Sequence, residues 1–408
     1  MSSRQIRKYI IYGIVLSCIF IITYMYFRGN DDEEDYLEYI TLKISNKNHE
    51  ILPEKYKDKK LPFHQVYESR QVNFEQYKII PINNQSRSKL LLLWTPWNGI
   101  KKTINYYSLQ NGQFSFIKYG CPNVKCHVTS DRKRIRKADA ILFHLLDTKL
   151  YDMPKYRHPD QRWIAYNLEA PWLIHENLTA MEGIFNWTMN YRSDSDIIVK
   201  YGFIGKTDTK YDFRAELSGR KPVIWFSSDC KTDGRREDYV KELSRHIQID
   251  VYGKCGNKTC FPSQSEYCYQ KLLKNYVFYL SFENSICKDY VTEKFFNVFN
   301  YQIIPVVFGG ADYTNVAPAG SFIDTKNFPN PRDLATYMKK IMNGSTALAE
   351  YFQWKKQFKS YLYPWTCYLC DKLHEPVTSS IRHNFKKWWM DDADCHRWIP
   401  DKGFVKIE

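Results

Sequence analysis

The chain has 408 residues, 59 Lys and Arg against 45 Asp and Glu, and a formal net charge of +14. Its basic residues are scattered rather than gathered in one arm, which argues against a nucleic-acid binder and leaves a modestly basic face suited to phosphate-bearing small molecules. No fixed-period repeat and no low-complexity tract occurs, which excludes a solenoid array.

Tyr9 to Phe27 (YIIYGIVLSCIFIITYMYF) carries no charge, and at about 1.5 Å of rise per residue a helix of this length nearly spans a bilayer core. Its end, TYMYF, lacks the small residues of a cleavage site, so it reads as an uncleaved anchor rather than a signal peptide. Arg4, Arg7 and Lys8 precede the span and Asp31 to Asp35 follow it, which keeps residues 1–8 cytosolic and the rest lumenal. Sequons at Asn84, Asn177, Asn186, Asn257 and Asn343 are glycosylation candidates in such a compartment. Of eleven cysteines only Cys18 lies in the span, and the even remainder suits an oxidising lumen. Cys121, Cys126, Cys367 and Cys370 read as two disulfides joining the early and late chain, with a zinc site as the competing reading.

Residues 28–85 are polar with little apolar periodicity and read as a stem. From there the texture changes to short apolar runs: LLLLWT (Leu90–Thr95), AILFHLL (Ala140–Leu146) and WIAYNL (Trp163–Leu168). A second series follows with VIWFSS (Val223–Ser228), IQIDVYG (Ile247–Gly253), YVFYLSF (Tyr276–Phe282) and IIPVVFGG (Ile303–Gly310). These predict buried strands alternating with polar segments of helical length, hence two α/β domains, 86–215 and 216–365, with a hinge near Lys206–Arg220 and a tail from 366 to 408.

The densest polar segment is FENSICKDYVTEKF (Phe282–Phe295). It follows a predicted parallel strand and precedes a helix predicted over Thr292–Asn300 and capped by Thr292. That places it at the carboxyl end of an α/β sheet, where helix amides and a cation such as Lys294 favour an anionic ligand. Glu293 suits sugar or ribose hydroxyls, and the segment reads as a nucleotide-sugar site. The plainer alternative, a capped helix with solvated Glu293 and Lys294, leaves Glu283, Asn284, Asp289 and Tyr290 unexplained.

FENSICKDYVTEKFFN, YNLEAPW (Tyr166–Trp172), FNWTMNYRSDSDIIVKYG (Phe185–Gly202) and WFSSDC (Trp225–Cys230) together resemble the α1,3-fucosyltransferase family, and RREDYVKELSRHIQIDVYGKCG (Arg235–Gly256) resembles its invertebrate, nematode-like branch. The resemblance implies two Rossmann-like domains facing a cleft (GT-B type) behind a single transmembrane helix and stem, as a type II Golgi membrane protein. It implies inverting transfer of L-fucose from GDP-fucose to the 3-hydroxyl of a GlcNAc on glycoprotein N-glycans, in the core or in a LacNAc or LacdiNAc antenna. Glu169, at the end of WIAYNL, matches the catalytic glutamate. Such a displacement needs a base for the attacking hydroxyl; without the resemblance Glu169 could equally be an ordinary loop carboxylate. Asn284, Tyr290, Glu293 and Lys294 match the donor pocket, with Arg236 and Lys294 neutralising the diphosphate; Arg235 leaves the register of Arg236 open by one. Ser228 and Trp225 are lesser donor-site candidates. The resemblance also pairs Cys121 and Cys126 with Cys367 and Cys370, in an order it leaves open, and implies no required cofactor, with room for stimulation by a divalent cation.

Asp194-Ser-Asp196 is a D-x-D of the kind that holds a metal in other glycosyltransferases, but the resemblance gives it no metal duty. Two other readings stand beside the main one: a glycan-binding protein that keeps the fold without catalysis, and a transferase of different linkage or one acting through a metal on Asp194 and Asp196.

Overall fold

The computed structural model describes residues 71, 87–96, 109–208, 219–261, 265–376, 381 and 383–407. The expected anchor at 9–27, the Asn84 sequon and all of the expected stem but Gln71 lie outside them. Among the described residues no helix is long and apolar enough to cross a membrane.

Each apolar run expected as a strand forms one. The first sheet takes β1 (Lys89–Leu93), β2 (Cys126–Thr129), β3 (Ala140–His144), β4 (Arg162–Tyr166), β5 (Trp187–Asn190) and β6 (Ile197–Ile198) in the order β2-β1-β3-β4-β5-β6. β7 (Phe203–Lys206) lies outside it. The second sheet takes β8 (Lys221–Phe226), β9 (Ile249–Tyr252), β10 (Tyr276–Phe282), β11 (Ile304–Phe308) and β12 (Ile323–Asp324) in the order β12-β11-β10-β8-β9. Every pairing in both sheets is parallel. That explains the unalternating apolar runs, since a parallel strand is covered on both faces; all seven residues of β10 are buried.

The connections differ from expectation in the first lobe. Among its described residues the polar segments form 3-10 turns, such as Arg132–Lys137, Leu150–Asp152 and Pro171–Leu173, and one short helix, Phe114–Lys118. Pro154, Pro159 and Pro171 each remove an amide and disfavour helix in the residue before, which works against continuous helices in the connections from β3 to β4 and from β4 to β5. In the second lobe true helices do follow strands, Arg236–Ser244 after β8 and Glu266–Leu273 after β9.

One hydrophobic cluster joins Leu91, Leu142 and Ile164 of the first sheet to Phe295, Phe296 and Phe299 of the second lobe and to Trp365 and Leu369 of the late helix Trp365–His374. Another joins the opposite face, through Phe143 and Tyr191, to Tyr290 and to Trp388 and Trp389 of the tail. The chain's end therefore seals both faces of the first sheet. β13 (Phe358–Tyr361) returns to pair antiparallel with β7, and the hairpin of β14 (His396–Ile399) and β15 (Gly403–Lys406) closes the chain.

All ten described cysteines are in disulfides. Cys121 bonds Cys367 and Cys126 bonds Cys370, which fixes the order left open by the sequence. Cys230–Cys255, Cys260–Cys268 and Cys287–Cys395 complete the set. The tail is thus tied to the second lobe as well as the first. Cys126, Cys370 and His374 cluster as metal ligands would, but two sulfurs bonded to each other offer no thiolates, and the zinc reading falls.

Candidate active site

Glu169 stands three residues beyond β4 on a fixed loop. Asn167 closes a local turn around it, its amide donating to the Glu169 carbonyl (3.1 Å) and its Oδ1 accepting from the Glu169 N–H (3.2 Å). Tyr201 Oη donates to the Leu168 carbonyl (2.8 Å), and Pro171 stops the strand direction from continuing. The Glu169 carboxylate is half-buried and accepts from Tyr290 Oη at 3.3 Å. Burial pushes its carboxyl above the usual range, Glu293 and Glu283 push the same way, and Lys294 and the Tyr290 hydroxyl oppose them. A carboxyl raised by burial and still reached by a cation has the properties of a general base.

The facing wall comes from the second sheet. Its strand order reverses between β8 and β10, the crevice where open α/β sheets bind ligands. β10 ends at Phe282, and the next residue, Glu283, is fully buried, with its carboxylate accepting from Thr292 N (2.8 Å) and Thr292 Oγ1 (2.8 Å). This clasp folds the loop 284–291 back on itself. Gly310, beyond β11, lets the loop pack close, because a Cβ there would lie 2.3 Å from the Cys287 carbonyl oxygen.

Lys294 Nζ reaches Thr292 Oγ1 (2.9 Å), Glu293 Oε1 (3.2 Å) and Glu283 Oε2 (3.3 Å). Burial disfavours its charge, yet Glu293 and Glu283 outweigh that and raise its pKa, so the ammonium stays protonated. Burial likewise works against ionised Glu293, but Lys294 prevails and holds its carboxyl below the usual range. Arg236, the first residue of its helix, is buried, donates to the carbonyls of Phe282 (2.7 Å) and Asp229 (3.3 Å), and lies over the Trp225 ring. Its charge acts on Lys294, so two cations share this crevice. Arg236 Nε and Asn284 Oδ1 are left without hydrogen-bond partners, polar groups that a ligand can satisfy.

The structure thus brings Glu169, Tyr290, Glu293, Lys294 and Arg236 into one electrostatic neighbourhood, with Asn284 on the loop between them. Three details differ from expectation. Tyr290, expected at the donor, has its hydroxyl on Glu169. The helix expected over Thr292–Asn300 spans only Glu293–Phe296, and beyond it the Asn300 side-chain amide bonds the Ser360 backbone in both directions. Four residues carry little dipole, so attraction for an anion rests on Lys294 and Arg236. Third, the Asn186 side chain is buried, with its Oδ1 accepting from Arg157 and from the Trp163 N–H (2.9 Å), a setting that disfavours a glycan in the folded chain. Asn177, Asn257 and Asn343 are exposed.

Asp194 is held by Arg192 (2.6 and 2.8 Å), and Asp196 accepts from Thr188 N and Oγ1 (both 2.8 Å). Both carboxylates are spent on the local fold. Ser228 is exposed beyond β8, and Trp225 lies buried under Arg236. Sequence reasoning gave no role to Glu283, Ser193 or Asp289. Glu283 stood within the crowded segment, but nothing in the sequence pairs Ser193 with a loop 96 residues later.

Residues 86–202 match the profile of the fucosyltransferase N-terminal domain, and residues 217–388 that of the glycosyltransferase family 10 (fucosyltransferase) C-terminal domain. The chain is 30% identical over 336 residues to alpha-(1,3)-fucosyltransferase C of Drosophila melanogaster, covering 75% of this chain and 79% of that protein. It is 33% identical over 359 residues to the same fly's glycoprotein 3-alpha-L-fucosyltransferase A, covering 82% and 67%. Rat 4-galactosyl-N-acetylglucosaminide 3-alpha-L-fucosyltransferase 9 is 36% identical over 280 residues, covering 65% and 75%. A crystal structure of an alpha1,3-fucosyltransferase with GDP-fucose shares the fold, with TM-score 0.51 at 14% identity over 78% of this chain and 98% of that one.

Proposed function

The chain belongs to glycosyltransferase family 10, the fucosyltransferases, and from that membership we propose that it transfers L-fucose from GDP-fucose to the 3-hydroxyl of GlcNAc on glycoprotein N-glycans, with inversion. The observation that carries this reading is the approach of Glu169 from the first lobe to Tyr290 and Lys294 from the second. The base takes the proton of the attacking hydroxyl while Lys294 and Arg236 meet the charge that grows on departing GDP. Fixed cations stabilise that charge more in the transition state than before it. Asn284 and Glu293 take donor hydroxyls, and no cofactor is required by these steps. The names of two relatives, one a glycoprotein 3-alpha-L-fucosyltransferase and one a 4-galactosyl-N-acetylglucosaminide 3-alpha-L-fucosyltransferase, support a GlcNAc acceptor in core or antenna.

The five disulfides among the described cysteines support an oxidising compartment, which favours the Golgi lumen, with residues 9–27 as a type II anchor. A catalytically silent glycan binder has no need of a raised carboxyl facing two cations. The test is incubation of the purified full-length chain with GDP-fucose and defined N-glycans, locating any added deoxyhexose by mass spectrometry. Transfer to the 3-position of GlcNAc is expected; no transfer to any GlcNAc-bearing glycan refutes the reading.

A further inference from the structure

The geometry points to Asp289 as a positioning residue: by holding Ser193 of the first lobe, its carboxylate sets the Tyr290 hydroxyl against Glu169. The inference rests on the reading of Glu169 as the base.

Asp289 has a left-handed backbone (φ 60°), a conformation that aspartate tolerates better than most residues but still adopts at a cost. Its Oδ2 accepts from both Ser193 N (3.0 Å) and Ser193 Oγ (2.7 Å). Ser193 sits on a rigid turn beyond β5. Arg192 before it donates its N–H to Asn190 Oδ1 (2.8 Å), pairs with Asp194 and reaches the Trp388 carbonyl. On its other side the loop is pinned to the tail, by Cys287–Cys395 and by the Lys288 N–H on the Ala393 carbonyl (2.8 Å), and the Tyr290 N–H closes a turn on Cys287 (3.2 Å). Two residues of the first lobe, Tyr191 and Ser193, thereby grip two adjacent residues of the second. The Tyr191 and Tyr290 rings lie 4.9 Å apart, and Ser193 takes Asp289. The left-handed turn at Asp289 directs the next side chain back into the cleft, where Tyr290 Oη meets Glu169.

The other groups facing Glu169 are Lys294, Glu293 and Glu283 from the second lobe and Tyr191 from the end of β5. The first three are held through Thr292, clear of the latch. Releasing the latch therefore removes one interaction from Glu169, the Tyr290 hydrogen bond. A donor to a carboxylate favours its ionised form, so losing it makes Glu169 hold its proton to higher pH.

The test uses the full-length chain with Asp289→Gly, which keeps the left-handed backbone accessible while deleting the carboxylate, and Ser193→Ala on an exposed side chain as a second variant. In Asp289→Gly the acid limb of the pH–kcat profile is expected to move up by about half a unit, with kcat down about fivefold and GDP affinity unchanged. Ser193→Ala, which keeps the N–H donor, should show a smaller shift in the same direction. Tyr290→Phe should reproduce the shift, and the double variant Asp289→Gly/Tyr290→Phe should be no worse than Tyr290→Phe alone. An unmoved limb in both latch variants, additive losses in the double variant, or a loss seen in GDP binding instead of kcat overturns the proposal. Full activity in Glu169→Gln would defeat the base assignment itself, a separate outcome.

Discussion

Lys294 Nζ lies 3.3 Å from Oε2 of Glu283, a carboxylate with no solvent exposure. The pair links the loop's internal clasp to the cation proposed to meet the diphosphate, so the two residues fail differently. Lys294→Met should weaken GDP binding about ten- to a hundredfold by removing a charge-assisted contact to diphosphate. Glu283→Ala should instead unfold the loop, stranding the Thr292 amide and hydroxyl and a poorly compensated ammonium, at about 3–5 kcal/mol. Titration calorimetry with GDP and urea denaturation separate them. Unchanged GDP affinity in Lys294→Met would remove its phosphate role, and a Glu283→Ala loss under about 1 kcal/mol would remove the clasp.

The Glu169 carboxyl, raised by burial, gives a prediction with a sign. A base works only when deprotonated, so activity should fall as pH drops through its raised pKa, with the acid limb above the ordinary glutamate value of about 4.3. Glu169→Gln should lower kcat by about 10²–10⁴ while GDP affinity stays within about twofold, since no donor charge is lost. Collapse of GDP binding in this variant would move Glu169 into the donor pocket.

Why the site was legible while parts of the fold were not follows from particular residues. The run YVFYLSF is buried on both faces and bounded by polar residues, so β10 and the position of the loop after it follow from composition alone. The place of Glu169 after its strand was visible because Ala170-Pro171 ends that strand, but its candidate role came only from the resemblance of YNLEAPW to the family motif. β2, β5, β6 and β12 were not expected, because CHVT, WTMN, II and ID are too short or too mixed to show a period of two. The helix after Thr292 was overestimated because Phe295, Phe296 and Phe299 look amphipathic in sequence, whereas Asn300 is committed to Ser360, a long-range partner no local pattern announces. The Ser193–Asp289 contact is invisible for the same reason.

Burial also discriminates among sequons that sequence treats alike. The Asn186 carboxamide is folded around by Arg157 and the Trp163 N–H, whereas Asn177, Asn257 and Asn343 face solvent. Glycopeptide mapping of the full-length chain purified from the membranes of a eukaryotic host should find glycans among the exposed three and none on Asn186. Asn186→Gln should destabilise the chain by about 1–3 kcal/mol, because the longer side chain cannot meet the Trp163 amide and the guanidinium in the same place. A glycan found on Asn186 in folded protein would mean that β4 and β5 pair differently at their start.

Lys355 offers a pH-dependent test of packing away from the cleft. It is buried, donates to the Phe299 carbonyl and lies 4.3 Å from the Trp354 ring centroid, and burial pushes its pKa down to about 7. In the unfolded chain a lysine titrates near 10.4, so between these values the unfolded state binds the extra proton, and stability rises with pH across that window. Below about pH 7 the ammonium is charged in both states and the burial penalty is fully present. Lys355→Met keeps the volume and removes the charge. Its stability advantage over wild type should therefore be largest at pH 6, shrink through pH 8, and vanish or reverse by about 1 kcal/mol at pH 10.5, where the lost hydrogen bond to Phe299 counts against the variant. Urea midpoints at those three pH values read the difference directly. An advantage independent of pH would show that Lys355 keeps its ordinary pKa and that solvent reaches it in the folded protein.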